Sequence, residues 1–82
     1  MKIKYFSWLK NITNIEDEEI FNNSIKDINS LKKYLSKKYP KFEKYFFKDK
    51  VIRIAVNFEY ISENIIITNQ DEIALFPPVS GG

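Results

Sequence analysis

From residue 2 to residue 7 the chain alternates, with Ile3 and Tyr5 on one side and Lys2 and Lys4 on the other. A period of two predicts a strand with one buried face. Trp8, Leu9 and Ile12 then follow a helical spacing for a turn or two. Residues 18–22 predict a second strand that pairs back on the first as a hairpin. Asp27 is placed to cap a helix, because its carboxylate can accept from the orphan amides of the first turn. Behind it Ile28, Leu31, Leu35 and Tyr39, with Tyr34 alongside, form one apolar stripe. Lys37 and Lys38 suit the negative end of the helix dipole, and Pro40 stops the helix. Residues 42–48 fit a short helix or a packed loop.

The second half reads as sheet. Residues 51–58 are rich in β-branched and aromatic side chains and predict a central strand. Tyr60 with Ile61, and residues 65–68, predict short edge pieces. Asn69, Gln70 and Asp71 predict a turn, with Asn69 the residue best able to take a left-handed conformation. Residues 72–76 predict the last strand. Strand, strand, long helix, strand, strand suits an α+β fold in which one long helix crosses a mixed sheet, a β-grasp fold. Other small α+β folds share that order. The expected organisation is one domain over 1–76 followed by an extended tail over 77–82.

Composition narrows the chemistry. Eighty-two residues hold one hydrophobic core, and 44% apolar residues suffice to build it. The chain has neither cysteine nor histidine, which excludes disulfides, thiolate nucleophiles, imidazole bases and the usual zinc ligands. No metal site is expected. The alternating N-terminus lacks the apolar core of a signal peptide, and the longest aliphatic run is Ile65, Ile66 and Ile67. A cytoplasmic protein with no membrane association is expected. A net charge of +2 is too balanced to imply nucleic acid. Lysines between 32 and 50 are interleaved with Tyr34, Tyr39, Phe42, Tyr45, Phe46 and Phe47, a pattern that can serve single-stranded nucleic acid. The preferred reading is helical, with solvated lysines and aromatics in the core. The acidic run from Glu16 to Glu19 reads as a solvated turn, since neighbouring carboxylates on one loop do not converge on a metal.

The end of the chain carries the candidate chemistry. Ile73 and Leu75 point to one face of the last strand, so Ala74 and Phe76 point to the other, where no second helix is available to cover the aromatic ring. Pro77 and Pro78 cannot donate to a ladder, so pairing stops at Phe76. Two prolines hold the chain extended. From Pro77 through Val79 and Ser80 to Gly82 it can reach roughly 20 Å at about 3.3 Å per residue. Gly81 and Gly82 add nothing to folding stability. They do make a thin end that can pass a channel where a β-carbon would clash. A terminal carboxylate can be adenylated by ATP, and a sulfur nucleophile can then displace AMP to leave a thiocarboxylate. No side chain of the carrier takes part, which suits a chain without cysteine or histidine.

Residues 71–82, DEIALFPPVSGG, resemble the C-terminus of the small subunit of molybdopterin synthase, a ubiquitin-like family. Ala55-Val56-Asn57 and the stretch from Tyr5 to Lys10 add to the resemblance, which spans the chain at about the right length. The resemblance implies that Gly82 is adenylated by a ubiquitin-activating-enzyme-like adenylyltransferase and thiocarboxylated with sulfur from a donor protein. It implies no cofactor on the carrier itself, ATP and magnesium being used by the activating partner, and catalytic side chains in the large synthase subunit. The tail, including Val79, Ser80 and Gly81, would enter that subunit in a heterotetramer and pass sulfur to cyclic pyranopterin monophosphate. Phe76, Phe6 and Tyr60 would form the apolar contact with partners, with Pro77 and Pro78 beside them. Lys10 stands where the family usually has arginine, so a bidentate contact there is in question. Gln70 replaces a glycine common before Asp71-Glu72.

Three other readings stay open. Related carriers serving thiazole, amino acid or tRNA thiolation share the diglycine end, though thiazole-pathway carriers generally lack Phe76-Pro77-Pro78. A ubiquitin-like modifier would be joined to lysines through Gly82. A plain interaction domain would not need the tail.

Overall fold

The computed structural model describes residues 1–78, and the roles expected of Val79, Ser80, Gly81 and Gly82 lie outside them. The strands are β1 (Lys2–Tyr5), β2 (Asp17–Glu19), β3 (Arg53–Val56), β4 (Glu59–Ile61) and β5 (Glu72–Phe76). They form one mixed sheet in the order β2-β1-β5-β3-β4. β1 and β5 run parallel, with Ile3 beside Ile73 and Tyr5 beside Leu75. The other three pairings are antiparallel. A short helix α1 (Leu9–Thr13) leads out of β1. The long helix α2 (Ile28–Lys38) crosses one face between β2 and β3, and α3 (Lys41–Glu43) runs on into a π turn, Lys44–Lys48. This is the ubiquitin-like β-grasp arrangement.

Helix α2 forms where the sequence places it. Asp27 accepts from the Ser30 amide at 2.8 Å, while the Ser30 hydroxyl accepts from the Asp27 amide at 3.0 Å, a reciprocal cap that satisfies two orphan donors. Ile28, Leu31 and Leu35 are buried against Ile3, Ile54, Ile73 and Leu75, and Tyr34 and Tyr39 pack at the margin. Phe42 and Phe46, carried by α3 and the π turn, close the far end of the core. The basic segment is therefore helical with exposed lysines, but Phe47 remains 40% exposed. Among the described residues no helix is long and apolar enough to cross a membrane.

Several expectations need correction. The strand expected over 51–58 is shorter, though β3 is interior to the sheet as expected, between β5 and β4. Asn57 and Phe58 leave the strand because both take positive φ, 50° and 71°, in a two-residue turn between Val56 and its partner Glu59. Residues 65–68 stay out of the sheet and make a single bridge, Ile66 to Asp27, beside the start of α2. The left-handed positions are Ser7, Asn14, Lys50, Asn57 and Phe58, not Asn69. The turn there is instead fastened by Asp71, which accepts from the Thr68 amide at 2.7 Å. The first strand stops at Tyr5 because Ser7, with φ 55°, turns the chain into α1.

Of the acidic run, Glu16, Asp17 and Glu19 are exposed as expected, and Glu18 is not. Asp17–Glu19 is strand, and alternation turns Glu18 inward opposite Ile3. Its side chain is 11% exposed and accepts from the hydroxyls of Tyr5 and Tyr39, each at 2.6 Å, and from the Lys38 ammonium. Partial burial raises the Glu18 pKa, but the bonds from Lys38, Tyr39 and Tyr5 outweigh it and hold the carboxyl below its ordinary value. Burial first, then the bond to Glu18, pushes Tyr39 up to about 12. The same causes push Tyr5 higher. This carboxylate ties β1, β2 and α2 together on the helix side of the sheet.

Candidate interaction surface at the chain exit

Alternation along β5 sends Ile73 and Leu75 to the helix and Ala74 and Phe76 to the opposite, outer face. Phe76 is half-buried there rather than bare. The Phe6 amide donates to the Leu75 carbonyl at 3.1 Å just past the end of β1, which holds the two rings side by side. They stack with centroids 4.5 Å apart and 9° between planes. Tyr60 leans on the other side of Phe76 at 5.6 Å and 52°. Residues 6, 60 and 76 are far apart in sequence, yet the topology assembles them. The cover that no helix supplies comes from two aromatic rings on neighbouring elements, which remain 40% and 71% exposed at Phe6 and Tyr60.

Behind these rings the outer face carries small side chains. Ala55 stands opposite both Tyr60 and Ala74, so two methyl groups floor a depression of about 180 Å³. Lys4 and Glu72, 3.5 Å apart as an ion pair, stand at its polar side. Phe58, 84% exposed, completes the rim. Its loop is pinned to β5. The Asn57 side chain donates to Asp71 at 2.9 Å and accepts from the Glu72 amide at 3.0 Å, and the Asn57 amide donates to the Glu72 carbonyl. The bond from Asn57, followed by that from the Thr68 amide, keeps the Asp71 carboxyl below its ordinary pKa.

Next to Phe76 along the chain, Pro77 is buried and Pro78 exposed. Lys10 is not gathered with the rings; its ammonium lies 3.6 Å from Glu16, at the start of the segment leading into β2. Phe58 is the member of this surface that sequence reasoning missed. The sequence signal for a tight hairpin turn is Asn followed by Gly, and the bulky Phe58 after Asn57 hides it.

The outer sheet face thus bears exposed aromatic rings beside the end of β5, the central strand, from which the chain runs on into Pro77 and Pro78. The ThiS family profile matches residues 3–82, and the chain belongs to the ThiS family. It is a ubiquitin-like sulfur carrier of the ThiS/MoaD type. Three solved structures share its fold closely. A chain assigned as molybdopterin converting factor subunit 1 in Pyrococcus furiosus is 28% identical, with 95% of each chain covered and a TM-score of 0.78. Small archaeal modifier protein 1 from Haloferax volcanii is 26% identical, covering 99% of this chain and 97% of that one, with a TM-score of 0.80. A complex of subunits 1 and 2 of the molybdopterin-converting factor from Helicobacter pylori contains a chain 28% identical. That match covers 99% of this chain and 96% of the other, with a TM-score of 0.64.

Proposed function

We propose that this chain is the sulfur-carrying small subunit of molybdopterin synthase, acting in the cytoplasm. The Gly82 carboxylate attacks the α-phosphate of ATP on an adenylating partner, releasing pyrophosphate. Sulfide, HS−, released from a donor protein then adds to the acyl carbon, and the C–O bond to the adenylate breaks as AMP leaves with its oxygen and the electron pair. The resulting thiocarboxylate is presented to a large subunit, where its sulfur is passed to cyclic pyranopterin monophosphate. The observation that carries this reading is the Phe6–Phe76–Tyr60 cluster, set where the chain turns into Pro77-Pro78. It supports docking of the body beside the point from which the tail departs. The Helicobacter pylori relative, solved as a complex of subunits 1 and 2, favours a large subunit as partner.

Incubation with the adenylating enzyme, magnesium-ATP and a sulfur source should raise the intact mass by the difference between one sulfur and one oxygen. The product, mixed with the large subunit, should convert cyclic pyranopterin monophosphate to molybdopterin. If a variant lacking Gly82 gained the same mass, the assignment of the carrier group would be wrong. If the thiocarboxylate formed but no precursor were converted, the chain would serve another sulfur pathway. A second reading, conjugation of Gly82 to lysines of other proteins, has the small archaeal modifier relative in its favour. Lysine-linked adducts in cells expressing the tagged chain would decide for it.

A further inference from the structure

The Asn57-Phe58 turn is built at a cost that folding does not explain. A two-residue hairpin with positive φ at both positions favours Asn followed by Gly. Asn57 fits, because its side chain bonds to Asp71 and Glu72. Phe58 does not fit. At φ 71° its β-carbon crowds the following carbonyl, which disfavours this conformation for any residue but glycine or a short polar one. The ring recovers nothing by burial, since Phe58 is 84% exposed. Isolated exposed apolar residues are ordinary, and Ile66 is as bare and Phe21 nearly so. Neither of those stands in left-handed backbone. Phe58 joins exposure to a strained backbone, and strain kept without a folding return points to use.

Its position says what the use is. The turn is tied to β5 at Glu72, so the ring is held in place rather than carried on a loose loop. It stands on the rim of the alanine-floored depression, whose other walls are Phe6, Tyr60 and Phe76. A volume of about 180 Å³ has room for one large apolar side chain; a cavity of about 150 Å³ already takes up benzene. The depression is continuous with the rings beside the chain exit.

We infer that Phe58 is a partner-anchoring residue: with Tyr60, Phe6 and Phe76 it forms a socket for one apolar side chain of the protein that takes up the tail. This rests on the function proposed above and names a residue that gives that docking its specificity. The occupant is an aliphatic or aromatic side chain of the large subunit. A second copy of this chain is the competing occupant, and the test separates them.

Phe58→Gly removes the ring and relieves the backbone together. The full-length variant should melt at or above the wild-type temperature. Its affinity for the purified large subunit, by titration calorimetry, should fall by about tenfold or more, as expected for loss of an interface aromatic. Phe76→Ala runs beside it as the reference. If Phe76→Ala weakens the complex and Phe58→Gly leaves it unchanged, the socket is refuted while the docking reading stands. If wild type forms no complex with the large subunit, the docking reading fails and the socket with it. A lower melting temperature for Phe58→Gly with unchanged affinity would make the residue a folding element. Wild-type self-association in sedimentation that Phe58→Gly abolishes would assign the face to a second copy and overturn the proposal.

Discussion

Replacing Glu18 by Gln keeps the shape of the side chain and removes its charge. In the native protein one carboxylate oxygen of Glu18 accepts from both Tyr5 and Tyr39, and the other from Lys38. Hydrogen bonds to a charged group contribute about 1.5–3 kcal/mol each, against roughly 1 for neutral pairs. The Lys38 side chain is 41% exposed, so its contribution is discounted to about 0.5 kcal/mol by solvent screening. The amide can keep its one oxygen on the two tyrosine hydroxyls, which weakens both bonds to neutral ones, and it then turns an NH2 towards the Lys38 ammonium. The expected loss is about 2 kcal/mol. For a domain of this size that lowers the melting temperature by roughly 8–15 °C. Thermal denaturation followed by circular dichroism at neutral pH measures it. A drop of less than about 3 °C would refute the argument that this carboxylate fastens β2 and α2 to the core.

The pH dependence of the same melt is a second readout. Because the Glu18 pKa is lowered on folding, its contribution is present above the ordinary value of 4.5 and is lost as pH falls through the folded value. Wild type should therefore lose stability on acidification more steeply than Glu18→Gln. At the other end the tyrosines are raised, Tyr39 from 10.0 to about 12. Their contribution is complete below pH 10 and is lost as pH rises towards 12. The tyrosinate absorbance of Glu18→Gln should develop at lower pH than that of wild type.

Phe76→Ala should cost both binding and stability, because the ring is stacked on Phe6 and flanked by Tyr60. About 1–2 kcal/mol of stability is expected from lost aromatic pairing, with a loss of about 2 kcal/mol or more in large-subunit affinity, and calorimetry of both processes measures them. Lys50→Gly should stabilise by about 1 kcal/mol, because Lys50 takes φ 51° just past the π turn, where the Val51 amide reaches back to the Tyr45 carbonyl at 3.0 Å. A lower denaturation midpoint in Lys50→Gly would mean that the lysine side chain contributes more than its backbone costs.

Elements with a clean period were legible from the sequence. β1, α2 with its Asp27 cap, and β5 stand where alternation or helical spacing puts them, and β5 coincides at both ends. Alternation also gave the outward direction of Phe76. What escaped were places where one residue overrides a local pattern. A run of β-branched residues up to Phe58 carries no sign that its end is bent into a turn. Glu16 to Glu19 looks like solvent because charge is usually solvated. The inward turn of Glu18 depends on register against β1 and on three donors from Tyr5, Lys38 and Tyr39. Of the candidate surface, Phe6 and Tyr60 came from a resemblance, not from periodicity, since only the topology brings them to Phe76. Lys10 is engaged with Glu16 and does not join them.

The same structure bears on how the diglycine end should be weighed. The chain contains two glycines, Gly81 and Gly82, and the body formed by the described residues 1–78 has none. Five positions in that body take positive φ, where glycine carries no steric penalty, and the chain fills them with Ser7, Asn14, Lys50, Asn57 and Phe58. Asn14 and Asn57 are tolerable substitutes, the first as the left-handed cap of α1. Ser7, Lys50 and Phe58 are costlier. A chain that used glycine freely could end in two of them without meaning. This one withholds glycine from the turns that would be relieved by it and places both where they relieve no turn of the described fold. That contrast weighs against a chance diglycine terminus. It supports the reading in which the absence of a β-carbon at the last two positions is what the chemistry of the terminal carboxylate requires.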